Sequence, residues 1–263
     1  MKIKFVADAP ALLLDEKYLV IADLHLGLEL ELARKGIMVP SQVQKLQERL
    51  DKLIKETGAK ELIILGDIKH EYRGISWTEL KDLPEFFNHL LKKVKVRIVK
   101  GNHDGGIEAV MPAGVKVYEP AGFVLNDMTA PLRGAAKDSV ALTHGQAWPK
   151  KEMLDCKTLL MGHIHPAIEF WSSGARMTEH VWIKAKINSE VLEKKYKKKC
   201  MLQEAIITPT FNHLAGGMAF NSERFTPMGP LLTKAIDWKT AEVFLLDGTS
   251  LGELSKMKST KKK

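Results

Sequence analysis

The pattern of apolar and polar positions divides the chain near Gly106. Before it, apolar runs of strand length recur at 2–6, Tyr18-Leu19-Val20-Ile21-Ala22, Glu61-Leu62-Ile63-Ile64-Leu65 and Lys95-Val96-Arg97-Ile98-Val99. The second is apolar throughout, which fits a strand covered on both faces. Helical spacing fills the gaps. Val43, Leu46, Leu50 and Leu53 step at three- and four-residue intervals and predict a helix over 41–56, with Ser41 and Gln44 as a capping box and Gly58 as its stop. A second helix is predicted over 76–93, opened by a Ser76/Glu79 capping box. Pro84 should kink or restart it, with Asp82 as the new cap. Leu26 to Lys35 predicts a helical turn or two, ended by Gly36 and Pro40.

After Gly106 the period changes. Residues 115–118, 121–125, 139–143, 158–161, 166–171, 178–187, 200–208 and 241–246 are strand-like, most with little room for helices between them. The first half reads βαβαβ and the second half mostly β. No linker rich in Pro, Gly or Ser and no internal repeat interrupts it, so a single domain over 1–255 is expected. The lysine-rich tail 256–263 is expected to be disordered. At the N-terminus Asp8, Pro10, Asp15 and Glu16 break the apolar run, which therefore fails as a secretory segment or membrane span and predicts a strand pair.

Length and composition change this picture little. At 263 residues, 45% hydrophobic and 27% charged, the chain suits an ordinary globular protein. The formal net charge of +8 adds an anionic partner, nucleic acid first. Lys194, Lys195, Lys197, Lys198 and Lys199 surround Tyr196, a cluster that can pair backbone and base contacts or else form a solvated loop. Arg73 is a further candidate for substrate phosphate, with plain solvent exposure as the alternative. The two cysteines, Cys156 and Cys200, have no motif spacing and predict reduced thiols in a cytoplasmic protein.

Polar clusters close the apolar runs: Asp23-Leu24-His25, Gly66-Asp67, Gly101-Asn102-His103-Asp104, His144-Gly145 and Gly162-His163-Ile164-His165. The carboxyl ends of strands are where open α/β sheets bind ligands. Of nine histidines, His25, His70, His103, His144, His163 and His165 fall inside or beside these clusters. His89, His180 and His213 do not, although His213 competes with His144. Imidazole and carboxylate without thiolate suit Mn²⁺, Zn²⁺ or Fe²⁺. Asp23, His25, Asp67, Asn102, His144, His163 and His165 are too many ligands for one ion and fill two, with one carboxylate bridging. Two ions roughly 3.5–4 Å apart polarise a phosphoryl oxygen and supply a hydroxide for in-line attack.

The order DxH, GD, GNHD, H, GHxH resembles the calcineurin-like metallophosphoesterase family over residues 23–165. The resemblance implies an α/β (α+β) fold, a four-layer αββα sandwich of two mixed sheets flanked by helices. It implies that Asp23, His25, His165 and Asp67 hold the first metal. Asp67 would bridge to the second, held also by Asn102, His144 and His163. His103 would sit over the scissile phosphate, stabilise the transition state and protonate the leaving oxygen. Asp104 either orients His103 or caps the following turn.

Many phosphatases of the family carry GDxxD, whose second Asp orients the catalytic His. Here the stretch is Gly66-Asp67-Ile68-Lys69-His70. GDIKH and Gly162-His163-Ile164-His165-Pro166 look like the SbcD-type double-strand-break nucleases, which makes His70 an active-site candidate against a structural loop histidine. The chain is shorter than those nucleases and shows no obvious DNA-capping domain. It looks closest to small archaeal SbcD-related phosphoesterases and to bacterial ones encoded beside DNA ligase or a helicase. The late loop 209–217, with Gly216-Gly217, either approaches the site or makes an ordinary turn.

The expectation is a metal-dependent nuclease acting on DNA, single strands or ends, in repair. Manganese is the first choice of metal; Zn²⁺, Fe²⁺, Mg²⁺ or a mixed pair are the others. A helicase or ligase partner and a homodimer follow from the resemblance alone. The alternatives are a hydrolase of small phosphoesters and a metal-binding scaffold whose catalysis has lapsed.

Overall fold

The structure is a computed structural model that describes residues 1–126, 139–172, 175–223 and 225–257. The first sheet opens with β1 (Ile3–Phe5), β2 (Leu12–Leu14) and β3 (Tyr18–Ile21), each antiparallel to the next. The expected N-terminal strand pair is thus a three-strand meander. β2 escapes the sequence reading because its turn, Asp15-Glu16, lacks glycine. Both turn residues nevertheless adopt left-handed φ (47° and 55°), the conformation that a tight two-residue hairpin requires.

From β3 the sheet turns parallel. Helix α1 (Leu28–Arg34) and helix α2 (Val43–Thr57) lead to β4 (Glu61–Leu65); helix α3 (Trp77–Leu91) leads to β5 (Lys95–Val99), and β6 (Val115–Tyr118) completes six strands in the order 1-2-3-4-5-6. Gly58 ends α2 in the left-handed conformation. The capping box expected at Ser41 does not form. The helix starts one residue later than such a box requires, after Gln42, and Ser41 Oγ only accepts from Val43 N–H at 3.4 Å. The box at Ser76 does form, with both arms to Glu79. Pro84 neither ends nor restarts α3, and Asp82 caps nothing. Leu83, Phe86, Phe87 and Leu90 are buried on both sides of the proline, so packing on the sheet outweighs its lost hydrogen bond.

The second sheet has nine strands: β7 (Phe123–Asn126), β8 (Ser139–Leu142), β9 (Thr158–Met161), β10 (Pro166–Ser172), β11 (Ala175–Ile187), β12 (Glu204–Ile207), β13 (Met218–Ala219), β14 (Ile236–Leu245) and β15 (Ser250–Glu253). β8, β9 and β12 are mutually parallel. Helix α4 (Ser189–Tyr196) joins β11 to β12, and α5 (Pro230–Lys234) precedes β14. The lysine-rich stretch therefore begins in a helix, anchored by the buried Leu192, where the sequence suggested a loop. Lys256 sits in a closing 3-10 turn paired with Glu253; the tail from 258 onward lies outside the described residues.

Alternation along the strands builds three cores. Leu19, Ile21, Leu62 and Ile64 face Leu50, Leu53, Leu83 and Phe87 of α2 and α3. Val20, Ile63 and Leu65 face Leu142, Leu160 and Ile206 across the gap between the sheets. Leu159, Met161, Ala205 and Ile207 face Leu192, Leu231 and Leu232 of α4 and α5. Three cores between four layers make an αββα sandwich, the layering that the metallophosphoesterase resemblance implies. No helix among the described residues is long and apolar enough to cross a membrane. Cys156 and Cys200 are buried and unlinked.

Candidate metal centre

The carboxyl ends of β3, β4, β5, β8 and β9 meet at one end of the sandwich. Asp23 and His25 follow β3, Asp67 follows β4, Asn102 and His103 follow β5, His144 follows β8, and His163 and His165 follow β9. Asp23, His25, Asp67, His163 and His165 all have φ between 41° and 78°. Non-glycine residues held there cost on the order of 1–3 kcal/mol each and persist where surrounding contacts overdetermine them. Backbone bonds supply those contacts: Asp23 N–H to Gly66 O at 3.1 Å, His25 N–H to Asp67 O at 2.8 Å and His163 N–H to the Asp23 carboxylate at 3.2 Å. Glycine is required where the turns close up. A Cβ on Gly101 would lie 2.1 Å from Asp67 Oδ1, and one on Gly66 2.2 Å from His144 Nδ1.

Three groups among the described residues could each hold a cation: His25, His70 and His103 form one without a carboxylate, and Asp67 belongs to both of the others. Asp23, His25, Asp67 and His165 place ligand atoms within 4.8 Å of one another, as do Asp67, His144 and His163. His25 Nε2 lies 3.1 Å from His165 Nε2 and 3.7 Å from Asp67 Oδ2. His144 Nε2 lies 3.3 Å from Asp67 Oδ2, 3.2 Å from His163 Nδ1 and 3.2 Å from Asn102 Oδ1. His144 Nδ1 donates to Leu65 O at 2.6 Å, which fixes the tautomer and leaves Nε2 as the ligand atom. Lone pairs converging from oxygen and nitrogen donors, with no sulfur, fit a pair of divalent cations.

The charges divide the histidines into two kinds. Burial, with His165 nearby, pushes His25 down to about 3, and burial with His144 pushes His163 down to about 4. Both are neutral at pH 7, as metal ligands must be. Burial also opposes protonation of His144, but Asp67 and Asp23 outweigh it and hold that ring at about 9. His165 is raised against its burial by Asp23. Asp67 is held low despite burial, chiefly by His144.

His103 borders this centre. Its backbone N–H donates to Asp67 Oδ1 at 3.0 Å and its ring centroid is 4.9 Å from that of His25. Its Nδ1 donates to the backbone carbonyl of His70 at 2.6 Å. The His70 ring lies over it, 5.6 Å between centroids and 25° from parallel, and approaches His25 Nδ1 at 3.3 Å. Glu31 of α1 accepts from His70 Nε2 on the far side. A carbonyl therefore orients His103 where a GDxxD phosphatase would use a carboxylate. Asp104 does not contact the His103 ring. Its buried carboxylate accepts from Ile68 N–H (2.8 Å), Lys69 N–H (3.3 Å) and Gly101 N–H (2.7 Å), bracing the β4 loop against the β5 loop. This brace is neither of its two sequence readings, the orienting of His103 or the capping of the following turn. Burial and Asp67 push this carboxyl up to about 6.

The family model for calcineurin-like phosphoesterases matches residues 16–184, well over half of the chain and all the candidate ligands named above. The chain belongs to the calcineurin-like phosphoesterase family. Among solved structures, the crystal structure of the Pseudomonas putida nuclease MPE is similar at 20% identity and TM-score 0.53, covering 94% of this chain and 98% of that one. That likeness shows the fold. The E. coli phosphoesterase Yfce aligns at 18% identity and TM-score 0.40 over 89% and 96% of the two chains. No match was found among curated protein sequences.

In this phosphoesterase the loop after β12 buttresses the first ligands. Phe211 N–H donates to Ala22 O (2.8 Å), Thr210 Oγ1 to Asp23 O (2.8 Å) and Asn212 Nδ2 to Leu24 O (2.9 Å). Gly217 packs against the His165 carbonyl, 3.1 Å from the position of a Cβ. The sequence flagged this loop through its glycines; Thr210, Asn212 and Glu31 carried no signal of their own. His213 stays outside both ligand groups, its ring edge-on to His180. His89 pairs with Asp51 on the helical face.

The lysine cluster does not join the site. β11 and β12 are antiparallel, so the segment between them lies at the amino ends of β9 and β12, the opposite end from the ligands. There Lys198 pairs with Asp155 at 2.6 Å and Lys195 lies over the Trp148 ring. Arg73 is exposed in the loop after His70. Arg34, absent from the sequence reading, lines the cavity beside His103 and pairs with Glu71 at 3.0 Å.

Proposed function

We propose that the protein is a two-metal phosphodiesterase that cleaves DNA, at single strands or ends, in a repair setting, with manganese as its metal. The observation that carries the reading is Asp67, shared between two ligand groups while also anchoring the backbone of His103. When bound, the metal pair supplies Lewis-acid polarisation and a nucleophile at neutral pH. Asp23, His25 and His165 with Asp67 hold the first ion. Asn102, His144 and His163 with Asp67 hold the second, and Asn102 completes it without adding charge. His103 works beside them. With Nδ1–H fixed on the His70 carbonyl, Nε2 is the nitrogen that handles the proton of the leaving oxygen.

DNA is favoured by the +8 charge, by the GDIKH and GHIHP stretches that look like SbcD-type nucleases, and by the fold shared with the nuclease MPE. The test is a substrate panel with Mn²⁺: an aryl phosphodiester, single-stranded DNA, duplex DNA, RNA, a cyclic nucleotide and a monoester. Hydrolysis of the aryl diester and DNA, lost in Asp67→Ala, supports the reading. Binding of two metals with no hydrolysis of any phosphoester would overturn it in favour of a scaffold.

A further inference from the structure

A cavity of about 120 Å³ opens directly beside His103, and its chemistry is unlike that of the metal centre. Glu31, Glu71 and Glu79 contribute to its wall, together with Arg34, His70 and Tyr72. Arg34 is tied to Glu71, and Glu79 is held in the capping box of α3. Glu31 is likewise bonded to Lys35 and His70, so among the described residues the wall offers a phosphate no unpaired cation. A neutral ring needs none.

One exposed aromatic lines this cavity, and a second follows a lining residue in sequence. Tyr72 is 62% exposed, and its ring meets His103 edge-on at 5.5 Å between centroids. Trp77 is 88% exposed and directly follows Ser76, another residue of the cavity wall. Exposed rings beside a cleavage site are the kind of platform on which unpaired bases stack. Leu80, one turn after Trp77, is also exposed and extends the apolar strip.

Resting on the nuclease reading above, we propose that Tyr72 and Trp77 form a stacking platform for unpaired nucleobases on the leaving side of the scissile phosphate. Tyr72 takes the base next to the bond that His103 serves, and Trp77 takes the following one. With every cation of the cavity wall already paired, the phosphate chain gains nothing there, so the bases turn toward the rings and the backbone passes over the metal centre. A duplex hides its base faces and cannot use this platform, which makes the surface selective for single strands or frayed ends.

The experiment compares Tyr72→Ala and Trp77→Ala with the wild type, all Mn²⁺-loaded, on an oligothymidylate, on duplex DNA and on an aryl phosphodiester that carries no base. Both side chains are exposed, so thermal unfolding should stay near that of the wild type. The proposal expects each variant to lose about tenfold more kcat/KM on the oligothymidylate than on the aryl diester. The slope of log affinity against log salt should not change, because stacking releases no counterions. In metal-free protein, oligothymidylate should quench tryptophan fluorescence, and Trp77→Phe should lose most of that quenching. Equal losses on the base-free diester, equal losses on duplex, or a change in oligomeric state without any change in the substrate ratio would each overturn it. Absence of all diesterase activity in the wild type would instead fail the underlying reading, while the fluorescence arm would still decide the platform.

Discussion

At the carboxyl ends of the strands, seven candidate ligand side chains converge, four of them buried. At the amino ends of β9 and β12, five lysines stand mostly exposed beside local partners. The first group is the smaller in net charge and the greater in consequence. Burial penalises the protonated form of both His25 and His144, but Asp67 and Asp23, acting through a low effective dielectric, outweigh it at His144, so the two rings lie at about 3 and about 9. The lysines act through water, where an exposed pair such as Lys198–Asp155 contributes about 0–1 kcal/mol and is screened by salt. Charge density along a sequence is therefore a poor guide to a site; convergence at strand ends is a better one.

Breaking the convergent end should have the largest effect. Asp67→Ala removes a ligand from both groups and the anchor of the His103 backbone, so diesterase activity should fall to background and metal uptake should drop. His103→Ala leaves every ligand in place. It should lower kcat by about 10²–10⁴-fold, the range for one acid–base group, with metal content unchanged by elemental analysis. Activity retained within a few fold would remove His103 from the chemistry.

A smaller effect separates ring from brace. Glu31→Gln loosens the His70 ring that covers His103, at a position remote from the metals. It should lower kcat about three- to tenfold, the scale of one hydrogen bond, while metal affinity stays put. A matching loss of metal would mean that Glu31 acts through the ligands instead.

pH sharpens the same contrast. In the metal-free protein His144, at about 9, holds a proton at pH 7 that an incoming cation must displace, and His165 is shifted in the same direction. Apparent metal affinity should therefore fall as pH drops below about 9, and calorimetry in buffers of different ionisation enthalpy should show proton release at pH 7. Smallest of all, neutralising Lys194, Lys195, Lys197, Lys198 and Lys199 should leave kcat on the aryl diester unchanged and shift DNA affinity only at low salt.

Much of the site was legible because its residues sit in a fixed place relative to apolar runs. Asp23, Asp67 and Asn102 each follow a strand that hydrophobicity alone delimits, and the two sheets bring them opposite His144 and His163. What stayed hidden depends on three-dimensional neighbours. Asp104 was expected to orient His103 or cap a turn, and its third role shows only where its carboxylate meets the amides of Ile68, Lys69 and Gly101. The missing phosphatase Asp was visible at His70, but its substitute is a backbone carbonyl, which no residue type announces. Helix α3 ran through Pro84 because burial on either side decides where propensity is equivocal, and β2 was masked by a turn without glycine.

The central claim is that two cations share Asp67, and electron paramagnetic resonance of a Mn²⁺ titration tests it most directly. The account predicts that metal-free protein takes up two equivalents and develops the signal of an exchange-coupled pair, kept in His103→Ala and lost in Asp67→Ala. A single equivalent, or two ions that remain magnetically isolated in the wild type, would contradict it.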